Sequence, residues 1–112
     1  MRIAVVSDIH GNLAALEAVV ADFTRRGVDA VVNLGDALSG PLLPLETARY
    51  LMATGWTHLA GNHERQVLSA PAANDDPADI HARGRLGEPE RRCFAALPHS
   101  RALDADVLLC HG

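Results

Sequence analysis

The sequence predicts an α/β domain. Short apolar runs rich in β-branched residues alternate with segments of helical periodicity, and each apolar run ends on a small group of polar residues. Helical crossovers between successive strands make most of the strands parallel.

Residues 2–6 (RIAVV) read as a strand buried on both faces. Leu13, Leu16, Val19, Val20 and Phe23 then recur at helical spacing, with Asn12 as the N-cap and Gly27 as the stop after Arg25 and Arg26. Residues 29–34 (DAVVNL) are a second buried strand ending at Gly35 and Asp36. A loop (SGPLLP) leads to a second helix with Pro44 in its first turn, running through Glu46 and Tyr50 to a stop at Gly55. Residues 56–60 (WTHLA) form a third, shorter strand that delivers the chain to Gly61. Residues 69–87 hold an Ala/Pro/Asp stretch without apolar period and read as a surface loop. Residues 88–97 form a short helix carrying Phe94 and Leu97 and ended by Pro98. Residues 106–112 (DVLLCHG) are a last buried strand that stops at His111. There is no internal repeat.

At 112 residues the chain is one domain or part of one. Apolar residues make up 48% and charged residues 21%, a globular balance. The net charge is −4 and every basic residue is Arg, which argues against an extended nucleic-acid footprint. No apolar run approaches the roughly 20 residues that span a bilayer, and the opening is too short for a signal-peptide core. Cys93 and Cys110 form no C-x-x-C pair and read as reduced, buried thiols of a cytoplasmic protein.

The polar residues fall in one pattern. Asp8 and His10 follow the first strand, Asp36 the second, Asn62 and His63 the third, and His111 ends the last. Ligands of open α/β sheets bind at the carboxyl ends of parallel strands, so strands lying side by side bring these groups together. Adjacent carboxylates repel unless a cation neutralises them. A mixture of carboxylate, amide oxygen and imidazole suits divalent metals of intermediate hardness. Singly, Asp8-x-His10 is also a capped turn, Gly35-Asp36 an ordinary turn and His111 a core histidine. Gly61-Asn62-His63-Glu64 is more specific, because a turn accounts only for its first two residues.

"DIH", "GD", "GNHE" and a later "HG", in that order, resemble the calcineurin-like metallophosphoesterase superfamily, and the opening MRIAVVSDIHGNLAALEAVV resembles its small bacterial phosphodiesterase branch. The resemblance implies paired β-sheets flanked by helices, of which residues 1–112 are the N-terminal portion of a single domain. It also implies hydrolysis of a small phosphoester at two divalent metal ions, with a metal-bound hydroxide as nucleophile. The metal would be manganese first, with iron, zinc, nickel or magnesium as alternatives. By position, Asp8 and His10 bind the first metal, Asp36 bridges, and Asn62 and His111 bind the second. His63 serves the leaving oxygen, and Glu64 orients His63. The family pattern continues to a Gly-His-x-His motif that these residues do not contain. His58, His81 and His99 do not replace it. A shortened chain, a homo-oligomer that completes the site in trans, or loss of catalysis each fits that difference. The competing functional expectations are therefore a phosphodiesterase or phosphatase, a remnant that binds metal or a partner without turnover, and a nuclease. The nuclease is disfavoured by net acidity and an aromatic content of 4%. The loops at 37–44 and near Asp75 carry no readable substrate code.

Overall fold

A computed structural model describes residues 1–69 and 76–112. Of the predicted loop at 69–87, the part at 70–75, including Asp75, lies outside the described residues.

The chain runs β1 (Ile3–Val6), α1 (Leu13–Arg26), β2 (Ala30–Asn33), α2 (Pro44–Met52), β3 (Thr57–His58), α3 (Asn62–Leu68), α4 (Pro77–Arg85), α5 (Glu88–Ala95), β4 (Ser100–Ala102) and β5 (Leu108–Cys110). The first three strands form a parallel sheet in sequence order, with Val5 beside Val32 and Asn33 beside His58. The last two form a separate antiparallel pair. This is the α/β arrangement expected for the N-terminal portion of the predicted fold.

Local chemistry sets the helix ends. Asn12 accepts from the Ala15 amide at 3.1 Å and caps α1. Gly27, at φ 77°, closes α1 by returning its N–H to the Phe23 carbonyl. Pro44 opens α2, where its missing N–H costs nothing. One apolar cluster (Leu16, Leu38, Leu51, Val67, Phe94 and their neighbours) joins all five helices. A second cluster packs Val32 and Leu59 of the sheet side against Leu109 of the β4–β5 pair. The hairpin thereby carries the chain's last residues back to the end of the sheet.

Four expectations are corrected. β1 is not buried on both faces: Val6 is buried, whereas Val5, on the opposite face, is 59% exposed. Among the described residues β5 pairs with β4 alone and alternates: Leu109 faces the core while Leu108 is 71% exposed. The 69–87 segment is not all loop, because Asp76 caps the Ala78 amide and starts α4, whose Ala82 joins the core. Cys93 and Cys110 are exposed free thiols rather than buried hydrophobes.

A polar chain sits under the sheet end. Asn33 is fully buried, its Oδ1 accepting from the Gly35 amide at 3.2 Å and its Nδ2 donating to His58 Nδ1 at 3.2 Å. His58 Nε2 is 3.0 Å from the Thr54 hydroxyl, which itself donates to the Leu51 carbonyl. This pattern needs a neutral imidazole with its proton on Nε2. Burial accordingly holds the His58 pKa below its ordinary value of 6.5, against a smaller opposing effect of the Leu51 carbonyl. The unfolded chain therefore binds this proton more readily. The contribution of neutral His58 to stability is complete above the unfolded pKa and is lost as pH falls through the folded one. Denaturation midpoints should fall as pH drops from 7.5 towards 5, and His58→Gln should flatten that slope. Parallel slopes in both proteins would show that other groups carry the dependence.

Candidate metal centre

The site is built where the three parallel strands end. Beyond β1 and β2 the chains stay paired: Asp8 N–H donates to Gly35 O at 2.9 Å, His10 N–H to Asp36 O at 3.0 Å and Gly11 N–H to Ala37 O at 2.8 Å. Within this extension Asp8, His10 and Asp36 have φ of 58°, 50° and 56°. Left-handed backbone is uncommon outside glycine, though Asp and His tolerate it better than most residues, and it typically costs about 1–3 kcal/mol where it is sterically strained. Three such residues at one locus redirect three side chains towards each other. One potential ligand atom from each of Asp8, His10 and Asp36 lies within 4.8 Å of the others.

The hydrogen bonds fix which atoms face inward. His10 Nδ1 is 2.8 Å from the Ser39 carbonyl, and His111 Nδ1 is 2.9 Å from the Leu34 carbonyl. A carbonyl only accepts, so each neutral ring carries its proton on Nδ1 and presents a bare lone pair at Nε2. His10 Nε2 faces Asp8 Oδ1 at 3.5 Å, and His111 Nε2 faces Asp36 Oδ2 at 3.2 Å. Asn62, in the first turn of α3, places its amide 3.1 Å from His111 Nε2. With Nδ2 turned inward it donates to that nitrogen and to both Asp36 oxygens. With Oδ1 inward it adds one more acceptor to the cluster. Two carboxylates and two imidazole lone pairs therefore converge, and among the described residues the ion-pair partners of Asp8 and Asp36 are His10 and His111. The Ser7 hydroxyl donates to Asp8 and is the chief reason its carboxyl lies below the ordinary carboxylate pKa. Partial burial opposes this, and His111 and His10 reinforce it.

Asp8, His10, Asp36, Asn62, His63 and His111 thus meet at one end of the sheet. Glu64 does not take its expected position beside the His63 ring. It is 2% exposed, and its carboxylate accepts from the backbone amides of Gly61 at 2.7 Å, Asp36 at 2.8 Å and Ala37 at 2.6 Å. Both oxygens are occupied beneath the site, tying the exits of β2 and β3 together. The ring of His63 instead meets Asp79 of α4, with Nδ1 and Oδ1 3.0 Å apart. Asp79 was not a candidate from sequence, because its segment has no apolar period and reads as loop. Burial disfavours the imidazolium of His63, yet the hydrogen bond to Asp79 and the charges of Asp36, Asp79 and Asp76 outweigh it and raise the pKa above 6.5.

The close approach of the two exits requires glycine. A Cβ on Gly61 would overlap Asp36 Oδ1 and stand 2.7 Å from its backbone nitrogen, and one on Gly35 would overlap the Gly61 nitrogen. Gly61→Ala should therefore destabilise the fold by about 1–3 kcal/mol through overpacking. Glu64→Gln replaces an acceptor by a donor facing buried N–H groups and should cost about 2–3 kcal/mol. Urea titrations of both variants beside the wild type measure these losses. Stabilities within about 0.5 kcal/mol of wild type would contradict the stapling role.

Residues 1–112 match the family described as calcineurin-like phosphoesterase. An uncharacterised protein of Methanocaldococcus jannaschii, MJ0912, is 39% identical over 66 residues, which are 59% of this chain and 27% of that protein. The crystal structure of a metallophosphoesterase from Sphaerobacter thermophilus superposes with a TM-score of 0.80 at 27% identity, covering 96% of this chain and 45% of the other. A candidate diadenosine tetraphosphatase superposes at 0.76 with 26% identity, covering 98% of this chain and 49% of the other. The chain thus spans about a quarter to a half of the length of these relatives. With the family matched from the first residue to the last, the chain belongs to the calcineurin-like phosphoesterases.

Proposed function

We propose that these residues carry the metal-binding portion of a metal-dependent phosphoester hydrolase, a phosphodiesterase or phosphatase acting on a small phosphoester. The observation that supports this most directly is the orientation of His10 and His111. Backbone carbonyls hold both Nδ1 atoms, so both Nε2 lone pairs are aimed at carboxylates. Such an arrangement is repulsive without a cation and suited to one, and an outer hydrogen bond on the far nitrogen is how ligating imidazoles are usually fixed.

In this reading Asp8 and His10 would hold one divalent ion, Asn62 and His111 would hold a second, and Asp36 would serve both. The oxygen and nitrogen donors suit manganese first, with iron, zinc, nickel or magnesium as alternatives. When bound, the ions would supply charge neutralisation at the phosphoryl oxygens and a water acidified towards neutral pH. The chain's own contribution is placement. Ser39 and Leu34 orient the imidazoles, and the His63 amide holds Asp36 Oδ1 at 2.9 Å. The Asn62 amide can turn its oxygen inward with almost no change of shape. His63 stands edge-on to His10, with ring centroids 5.4 Å apart at 84°. From there it can give a proton to the leaving alkoxide, and its raised pKa favours the protonated form that this requires. General-acid assistance of this kind contributes about 10²–10⁴ in rate.

The S. thermophilus structure is named a metallophosphoesterase, and that name supports the reaction class for this chain. A reducing compartment such as the cytoplasm suits the exposed thiols of Cys93 and Cys110. Among the described residues no helix is long and apolar enough to cross a membrane.

Added Mn²⁺ should raise the melting temperature. At 100 times its dissociation constant a ligand stabilises by about 2.7 kcal/mol, and Asp36→Asn should remove most of that gain. Hydrolysis of bis(p-nitrophenyl) phosphate with Mn²⁺ should fall more than ~100-fold in Asp36→Asn, beyond the usual effect of losing an outer hydrogen bond. His63→Gln should keep the metal-induced stabilisation and lose ~10²–10⁴ in rate. A melting temperature indifferent to Mn²⁺, Fe²⁺, Zn²⁺, Ni²⁺ and Mg²⁺ would overturn the metal reading. Stabilisation without hydrolysis would instead leave these residues as a metal-binding portion without turnover of their own.

A further inference from the structure

We infer that Asp79 is the positioning residue for His63, fixing which imidazole nitrogen is available at the reaction centre. This deepens the reading of His63 given above and rests on it.

The argument begins with the cost of placing Asp79 where it is. Its carboxylate is 2% exposed, and a buried carboxylate is expensive unless it is paired or hydrogen-bonded. Among the described residues its hydrogen-bond partner is His63, at 3.0 Å between Oδ1 and Nδ1. The helix that carries it has independent reasons to sit there. Asp76 caps its first turn, and Ala82 and Leu86 at its far end pack in the helical core. Those contacts would dock α4 with an apolar residue at position 79 as well. The acid contributes only what an acceptor aimed at His63 can contribute.

The consequence for the ring follows from donor and acceptor chemistry. A carboxylate only accepts, so neutral His63 carries its proton on Nδ1 and leaves Nε2 as the nitrogen that no described residue engages. The backbone of His63 is separately fixed, because its N–H donates to Asp36 Oδ1 at 2.9 Å. The edge-on contact with His10 limits the ring from another side. Asp79 therefore sets tautomer and ring rotation together, on a histidine whose main chain is already anchored. Glu64, adjacent in sequence, cannot share this work because its two oxygens receive three backbone amides.

The test reads the tautomer directly. Long-range ¹H–¹⁵N spectra of the whole chain, recorded at alkaline pH where the imidazole is neutral, report which His63 nitrogen bears the proton. Wild type should show Nδ1–H. Asp79→Asn can donate through its amide nitrogen to a bare Nδ1 and should shift the population towards Nε2–H. Asp79→Ala should move the population to mainly Nε2–H, the form free imidazole prefers. A wild-type ring protonated on Nε2, or an Nδ1–H signal that persists unchanged in Asp79→Ala, overturns the inference. If Asp79→Ala does not fold, the wild-type and Asp79→Asn spectra decide: Nε2–H in wild type, or an Nδ1–H share in Asp79→Asn as high as in wild type, contradicts the assignment. Calorimetric titration with Mn²⁺ on the same samples keeps the two readings apart. Unchanged Mn²⁺ affinity beside a changed tautomer fits positioning. Loss of affinity in both variants would make Asp79 a support of the metal centre and overturn the proposal. Absence of Mn²⁺ binding in wild type, with the tautomer as expected, would count against the metal reading alone.

Discussion

The buried carboxylate of Glu64 is the interaction on which the rest of the site depends. It takes the amides of Asp36 and Ala37 beyond β2 and of Gly61 beyond β3. Asp36 answers in the other direction, with its own carboxylate accepting from the His63 amide in the first turn of α3. Two acidic side chains thus exchange main-chain donors across two strand exits. Buried N–H groups left without acceptors are costly, so this exchange holds the turns in shape. It also demands a close backbone approach, which is why Gly35 and Gly61 face each other there.

On that frame the fold collects groups that oppose each other. Asp8, His10 and Asp36 sit in left-handed backbone, and the lone pairs of two imidazoles point at two carboxylates. Left-handed backbone carries its own cost, and like-facing acceptors repel one another, a repulsion that a cation would offset. The surrounding order bears this cost: the helical core under α1 to α5, the β1–β2 backbone ladder that continues to Gly11, and the Glu64 staple. The β4–β5 hairpin adds the last piece. Leu109 packs against Val32 and Leu59, and the residue after Cys110 is thereby delivered to the Leu34 carbonyl, 77 positions away in sequence.

Much of the site was legible because parallel strands direct their carboxyl ends one way. Asp8, His10, Asp36 and Asn62 each follow an apolar run directly, so local periodicity was enough to group them. Helix ends were legible for a similar reason: Asn12, Gly27 and Pro44 act through backbone groups within a few residues of themselves. Strand burial was not. Whether Val5 or Leu108 is covered depends on what packs on the face each side chain points to, and Val6 and Leu109, on the opposite faces of the same strands, are buried.

The sequence by itself determined the alternation of strands and helices, the helix caps and the identity of the polar groups at the strand ends, all of which depend on contacts close along the chain. Only the tertiary structure decided the partners of those groups. Glu64 and His63 are adjacent in sequence, yet the helix turns them apart. One carboxylate goes beneath the site to backbone amides, and the imidazole goes across to Asp79, sixteen residues on. Adjacency along a helix puts side chains on different faces, and a hydrogen bond forms with whatever the packing brings to each face.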